Sequence, residues 1–384
     1  MRRSRQLLVV TAVLGAAIAI GFEVRPSGAQ PDAGSATNVD AASTLVAAER
    51  PHGLHVSGSE LLDARGRRVH FHGVNRSGTE YACVQGWAIF DGPSDARSAK
   101  AIASWHVNGV RLPLNEHCWL GINGVKPQFA GPRYRRAIAR YVNVLNRQGI
   151  YVELALMWAA PGAYRATYQS GAPDADHAPT FWASLARTFR HNANVILAPW
   201  GETIVNADCF LKGGVCEATF GPNNRQYRVA GMQQAVDVMR RAGYRGVIAI
   251  PGVNYANDLT GWLSHRPRDP LNQLIAEAHV YAKNTCGGAW CFQRTLQPIA
   301  RRVPMIFGEL GDAVDETACG SRYISGFANW ADTHDVGYFA WTWNTWHNCS
   351  ALISDFSGTP FSAYGGWVKR HYAATRSAAR PIPR

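Results

Sequence analysis

The 384-residue sequence predicts a (β/α)8 barrel with a short N-terminal β-hairpin. Three observations predict it. Eight short apolar runs, rich in β-branched and aromatic residues, recur over residues 51–384, and Gly, Pro or Asn bound each one, as they bound buried parallel strands. Amphipathic segments of helical period separate the runs. After the first run, "GVNRSGTEY" lacks the G-x-G-x-x-G phosphate turn that a doubly wound open sheet, the alternative architecture, would carry there.

The elements follow in order. "LHVSGSELLDARGRRVH" reads as a hairpin turning at Arg65-Gly66, placed to lie across the barrel floor. The strands are then "RVHFHGVN" (68–75), "VNGVRLPLN" (107–115), "IYVELALMW" (150–158) and "NVILAPWGE" (194–202). "GVIAIPG" (246–252), "LIAEAHVY" (274–281), "VPMIFGELG" (303–311) and "VGYFAWTW" (336–343) complete the set. Between them, Ile138, Tyr141, Val142 and Leu145 fall on one helical face, with Pro132 at the start and Gly149 at the stop. Met232, Ala235, Val236 and Met239 repeat the pattern before Gly243.

Upstream, Arg2, Arg3 and Arg5 precede the apolar stretch Leu7–Phe22, and small residues follow at Ser27, Gly28 and Ala29. That stretch is short for a membrane span, so residues 1–29 read as a secretory signal peptide. Residues 30–50, poor in apolar side chains, read as a flexible leader, and 51–384 as one catalytic domain. Eight cysteines with no C-x-x-C pair suggest disulfides in an exported protein rather than zinc. The formal charge is +12, carried mostly by arginine, without the tight basic run interleaved with aromatics that nucleic-acid binding asks for. No nucleic-acid partner and no stable membrane insertion are expected, and the chain reads as a monomer.

Barrel active sites form at the carboxyl ends of strands. Those ends carry Asn75 and Glu80, then Arg111, Asn115 and Glu116, then Trp158, Glu202, Asn254 and Tyr255, His279 and Tyr281, Glu309, and finally Trp341 and Trp343. Glu202 and Glu309 end otherwise apolar runs, and a charge there needs a partner or a task. Two carboxyls across a barrel mouth suit glycoside cleavage, one as acid and one as nucleophile, with tryptophan faces to stack on sugar rings. An Arg beside one Glu would keep it ionised, and a less paired, desolvated Glu would keep its proton. Glu80 and Glu116 read as solvated loop carboxylates. His70 and His72 share a strand face and invite a metal, but no third ligand lies near them in sequence, so neither metal nor cofactor is expected.

"FHGVNRSGTEYAC", "NGVRLPLN", "HVY", "FGELG" and "GYFAWTW", in this order across 51–373, resemble glycoside hydrolase family 5, the cellulase-like retaining β-glycosidases. The resemblance implies Glu202 as acid/base and Glu309 as nucleophile. It implies that Arg111 and Tyr281 orient Glu309, that His279 neighbours the acid/base or substrate, and that Trp341 floors the subsite of the reacting sugar. Asn115 and Trp158 join them as substrate-binding residues. The sequence departs at Gly201, where the family carries an Asn that binds the sugar 2-hydroxyl; either another residue, with Asn206 and Asn254 the candidates, makes that contact, or the substrate differs, or the site is weakened. Met157-Trp158 also stands where the family's strand-three histidine is usual. Barrel adjacency pairs Cys83 with Cys118 and Cys319 with Cys349, leaving Cys209–Cys216 and Cys286–Cys291 as local loops. The expected function is a secreted endo-β-glycosidase acting on a β-linked polysaccharide, first of all a β-1,4-glucan. A β-mannanase, a transglycosylase and a non-catalytic carbohydrate-binding barrel are the alternatives.

Overall fold

The computed structural model describes residues 51–282, 284–311 and 319–378. The expected signal peptide, the leader and the last residues of the domain lie outside them. In chain order the strands are β1 (Leu54–Ser57), β2 (Glu60–Asp63), β3 (His72–Asn75), β4 (Gly109–Asn115), β5 (Tyr151–Trp158) and β6 (Val195–Ala198). β7 (Gly213–Phe220), β8 (Arg225–Ala230), β9 (Ile248–Pro251), β10 (Leu274–Tyr281), β11 (Met305–Gly311) and β12 (Gly337–Ala340) follow. The parallel strands β3, β4, β5, β6, β9, β10, β11 and β12 close into a barrel, which excludes the open sheet.

Both helices read from periodicity form, as Pro132–Arg147 and Met232–Arg241, and the apolar positions named above are buried in each. Inside the barrel, Phe71, Tyr151, Ile196, Val247, Ile275, Ile306 and Phe339 pack together. Gly73 is required there: a Cβ on it would stand 2.3 Å from the Phe339 ring. Leu54 and Leu61 of the β1–β2 hairpin join the same cluster from below, so the hairpin does cover the floor. Its turn is not where the sequence placed it. β1 and β2 pair through Ser57 and Glu60, so the turn is Gly58-Ser59, with Gly58 at φ +60°. Arg65-Gly66 makes the next turn, tied by the Asp63 carboxylate accepting from the Arg65 and Arg67 amides.

A second hairpin, β7–β8, was not read from sequence. "ATFGPNNRQY" held the signal, alternation flanking a Gly-Pro-Asn-Asn turn. It leans on the loop after β5, where Tyr168 and Phe220 stack at 4.5 Å. Disulfides join Cys83–Cys118, Cys209–Cys216, Cys286–Cys291 and Cys319–Cys349, the partners that barrel adjacency suggests. The first ties the loops after β3 and β4, and the last ties those after β11 and β12. Each restrains a segment at the carboxyl face, worth a few kcal/mol in the chain-entropy account.

Candidate active site

Arg111, midway along β4, organises the barrel mouth. It is fully buried, so its charge must be answered inside the protein. Its Nη1 donates to Glu309 Oε1 at 2.8 Å and to Asn75 Oδ1 at 3.0 Å, and its Nε donates to Glu153 Oε1 at 3.0 Å. Glu277 Oε1 lies 3.3 Å from the same Nε. Glu309 is held from its other side by the Tyr281 hydroxyl, which donates to Oε2 at 2.6 Å. Both oxygens of Glu309 are therefore oriented, and its side chain is 5% exposed at the open end of β11.

Glu202 follows β6 and is 16% exposed. His279 Nδ1 donates to its Oε1 at 2.8 Å, and Gln169 Nε2 donates to Oε2 at 3.1 Å. His279 Nε2 reaches Glu277 Oε1 at 3.2 Å. Burial opposes a charge on His279, yet the Glu309 carboxylate and the bonds to Glu202 and Glu277 prevail and raise its pKa to about 10. Its cation in turn holds Glu202 below the usual carboxylate range, against the cost of burial. The expectation of a weakly paired acid that keeps its own proton is thus overturned. Both shifts favour the proton on His279, one hydrogen bond away. A carboxylate oxygen of Glu202, one of Glu309 and a His279 nitrogen all lie within 4.8 Å of one another.

Four carboxyls, Glu153, Glu202, Glu277 and Glu309, thus surround two cations, Arg111 and His279. Burial and the nearby Glu277 push Glu153 up to about 8.

The other site residues read from sequence divide. Trp158 and Trp341 are half-buried at the mouth, Trp341 with its ring 6.3 Å from Trp346. Trp343 is core, packed on Trp105 at 4.9 Å. Asn115 is fully buried and engaged within the protein: Nδ2 donates to the Glu80 and Ala166 carbonyls and Oδ1 caps the Cys118 amide. That geometry makes it a tie between loops rather than a sugar ligand. Asn206 caps the helix Ala207–Lys212, and Asn254 is exposed. Glu80 and Glu116 are buried, not solvated. Burial and the neighbouring Asp174 keep Glu116 well above its ordinary range.

Sequence reading missed Glu153, Glu277, Gln169, Tyr81 and Trp346. Glu153 and Glu277 gave the same signal as Glu202, a lone charge inside an apolar run. Tyr81 sits between Trp158 and Trp346, with ring centroids 6.2 Å from each, and extends an aromatic row along the mouth.

Glu80 gives a testable pH dependence. Burial raises its carboxyl from 4.5 to about 8, although the Gly78 amide donates to it at 2.7 Å. A carboxyl whose folded pKa is raised contributes stability that is complete below its unfolded pKa and is lost as pH climbs through the folded value. Glu153 acts in the same direction. The melting midpoint should therefore fall between about pH 5 and 9, and Glu80→Gln should shallow that fall. An unchanged slope in the variant would count against a buried neutral Glu80.

Comparison with known proteins places this geometry. The family model for cellulase (glycosyl hydrolase family 5) matches residues 62–346, and the chain belongs to that family of glycoside hydrolases. A β-mannanase/endoglucanase A of Caldicellulosiruptor saccharolyticus is 21% identical over 167 residues, which is 41% of this chain and 12% of that protein. A β-glucanase of Saccharophagus degradans, solved with cellotetraose, is similar in fold at TM-score 0.63, with 18% identity over 86% of this chain and 95% of that one. The catalytic domain of Thermobifida fusca endoglucanase Cel5A gives TM-score 0.60 at 16% identity, covering 84% and 97%. A mannanase catalytic domain from Streptomyces sp. SirexAA-E gives 0.59 at 18%, covering 87% and 94%.

Proposed function

We propose a retaining endo-β-glycosidase that is exported and cleaves a β-1,4-linked glucan. The observation that carries this reading is the closeness of the Glu202 and Glu309 carboxylates, with oxygens within 4.8 Å. Retaining sites place the two carboxyls ~5–5.5 Å apart, and oxygens this close fit that spacing. Glu309, oriented on both oxygens, attacks the anomeric carbon. Glu202 protonates the departing oxygen.

The supply of that proton follows from the electrostatics. The charge on Glu309 is the strongest attraction holding the proton on His279. Formation of the glycosyl ester consumes that charge. As the ester bond forms and the glycosidic C–O bond breaks, the imidazolium loses its hold, and the proton crosses to Glu202 Oε1 and on to the departing oxygen. In the second step the same pair takes a proton from the attacking water.

The aromatic row of Trp158, Tyr81, Trp346 and Trp341 supports a chain of sugars rather than a single one. The relatives solved as glucanases favour glucan. A β-mannanase is the second reading, favoured by the thioether of Met157 beside Gly201, because mannose differs from glucose at the 2-hydroxyl. Export is supported by the four disulfides. Among the described residues no helix is long and apolar enough to cross a membrane.

The test is sugar release from cellulose, mixed-linkage glucan, xyloglucan and mannan, with NMR of the first anomer formed. Release of β-anomer from a glucan is expected. An α-anomer would exclude retention, and binding without release would favour the non-catalytic barrel.

A further inference from the structure

The two histidines the function leaves unused lie at the opposite end of the barrel. His70 and His72 stand two residues apart where β3 begins, so their side chains take one face. The chain completes their surroundings from far downstream, with Asp332 on the helix Arg322–Thr333 and His371 on the helix Ser362–Ala378. Asp332 Oδ1 is 3.1 Å from His70 Nε2 and 3.0 Å from His72 Nε2. Asp332 Oδ2 is 2.9 Å from His371 Nε2, which is also 2.9 Å from the Tyr338 hydroxyl. The donor atoms of His70, His72 and Asp332 all fall within 4.8 Å of one another. This corrects the expectation that the histidine pair lacks a third ligand; sequence proximity was the wrong place to look.

We propose that this cluster binds a first-row divalent cation of the zinc type. His70 Nε2, His72 Nε2 and the Asp332 carboxylate are its ligands, and His371 supports them through its contact with the second Asp332 oxygen.

Four features carry the inference. The first is spacing. A tetrahedral zinc with bonds near 2.0–2.1 Å sets its ligand atoms about 3.3 Å apart. The imidazole nitrogens here already stand 3.0 and 3.1 Å from the carboxylate oxygen, close to that spacing. The second is ligand chemistry. Imidazoles with a single carboxylate suit zinc and its neighbours, whereas calcium and magnesium want oxygen. The third is outer support. Asp335 Oδ1 lies 3.5 Å from His70 Nδ1, which is where metal-bound imidazoles keep a carboxylate. Trp367 stacks on His371 at 4.4 Å, and Tyr338 and Tyr372 flank His72, so ring orientations are restrained. The fourth is access. The four side chains are between 13% and 22% exposed, enough for an ion to arrive and too little for three rings to be fully hydrated.

The placement also says what the ion would do. It would join the first barrel strand to the last two helices, at the seam where the barrel closes. A bond across that seam opposes unfolding and takes no part in glycoside chemistry at the other end of β3.

The experiment uses the full chain without an affinity tag, stripped with a chelator and returned to zinc. Elemental analysis should find about one zinc retained per chain after dialysis. The melting midpoint should rise by roughly 4 °C when free zinc exceeds its Kd a hundredfold. Cobalt should give the visible absorption of a four-coordinate site. His72→Gln should lose the retained metal, the midpoint shift and the cobalt band. If that variant does not fold, His371→Gln should weaken zinc binding about tenfold or more while keeping the parent fold. Failure of the parent to retain zinc, or an unchanged zinc response in a folded variant, overturns the proposal. The second result would place the ion elsewhere, the two other groupings of suitable donors among the described residues being Glu116, His117 and His177, and Glu202, His279 and Glu309.

Discussion

Glu309→Ala will abolish turnover on every substrate, a loss on the order of 10⁴-fold or more in kcat, because in the proposed mechanism no glycosyl ester can form without it. Glu202→Ala will behave differently. On polysaccharide, where the leaving oxygen needs a proton, it should lose about 10²–10⁴-fold. On an aryl glycoside with a good leaving group the first step survives and the second slows, so the glycosyl-enzyme accumulates. Azide separates the roles. In Glu202→Ala it enters the vacated space and attacks the intermediate, which restores turnover and gives the β-azide. In Glu309→Ala it attacks the sugar directly and gives the α-azide. Identical azide products from both variants would mean that the roles are misassigned.

The His279–Glu202 bond adds a further signature to the same experiment. Glu309→Ala removes the strongest attraction on the His279 proton. The imidazole should then titrate at lower pH, which NMR of the ring protons reads directly. A His279 pKa unmoved by the loss of Glu309 would defeat the proposed proton route while leaving the nucleophile assignment intact.

How much of this was legible in sequence follows from the reach of each signal. Strand ends carry local punctuation, so Glu202, His279, Tyr281 and Glu309 could be placed on the mouth before any coordinates. Arg111 announced itself as a charge within an apolar run. Glu153 and Glu277 gave that signal too, but inside their strands rather than at the ends, and a rule that looks only at strand ends passes over them. Glu80 and Glu116 were misread because a loop carboxylate is ordinarily solvated; here both are buried, Glu116 beside Asp174 and His177 from the segment after β5. Asn115 was misread because a residue at a strand end is both a site candidate and a helix cap, and local sequence cannot separate the two. The state of Glu202 was out of reach altogether. It depends on His279, 77 positions away, whose charge depends on Glu309, and no local pattern encodes a coupled proton.

Gly201→Asn tests the same kind of long-range dependence, and the expected result is a loss. The family resemblance invites that substitution as a repair of the missing 2-hydroxyl ligand. The structure gives the space to another residue. A Cβ at position 201 would stand 1.8 Å from Met157 Sδ and 2.9 Å from its Cε. Met157 is buried, and its sulfur lies 3.5 Å from Arg111 Nη2. An Asn at 201 therefore displaces the end of Met157 from its place against the guanidinium that orients Glu309. Overpacking of this kind costs about 1–3 kcal/mol of stability. Displacing the nucleophile by even 1 Å costs kcat about 10²-fold. Gly201 and Met157 form one unit, the glycine making room and the thioether filling it, so their substitutions should be strongly non-additive. Gly201→Asn with Met157→Ala should recover the parent's melting midpoint more fully than either change alone. With the amide then free to reach the sugar, the double variant should also shift its preference among glucan and mannan substrates. A stable and active Gly201→Asn single variant would show that Met157 yields freely, and the coupling would fall.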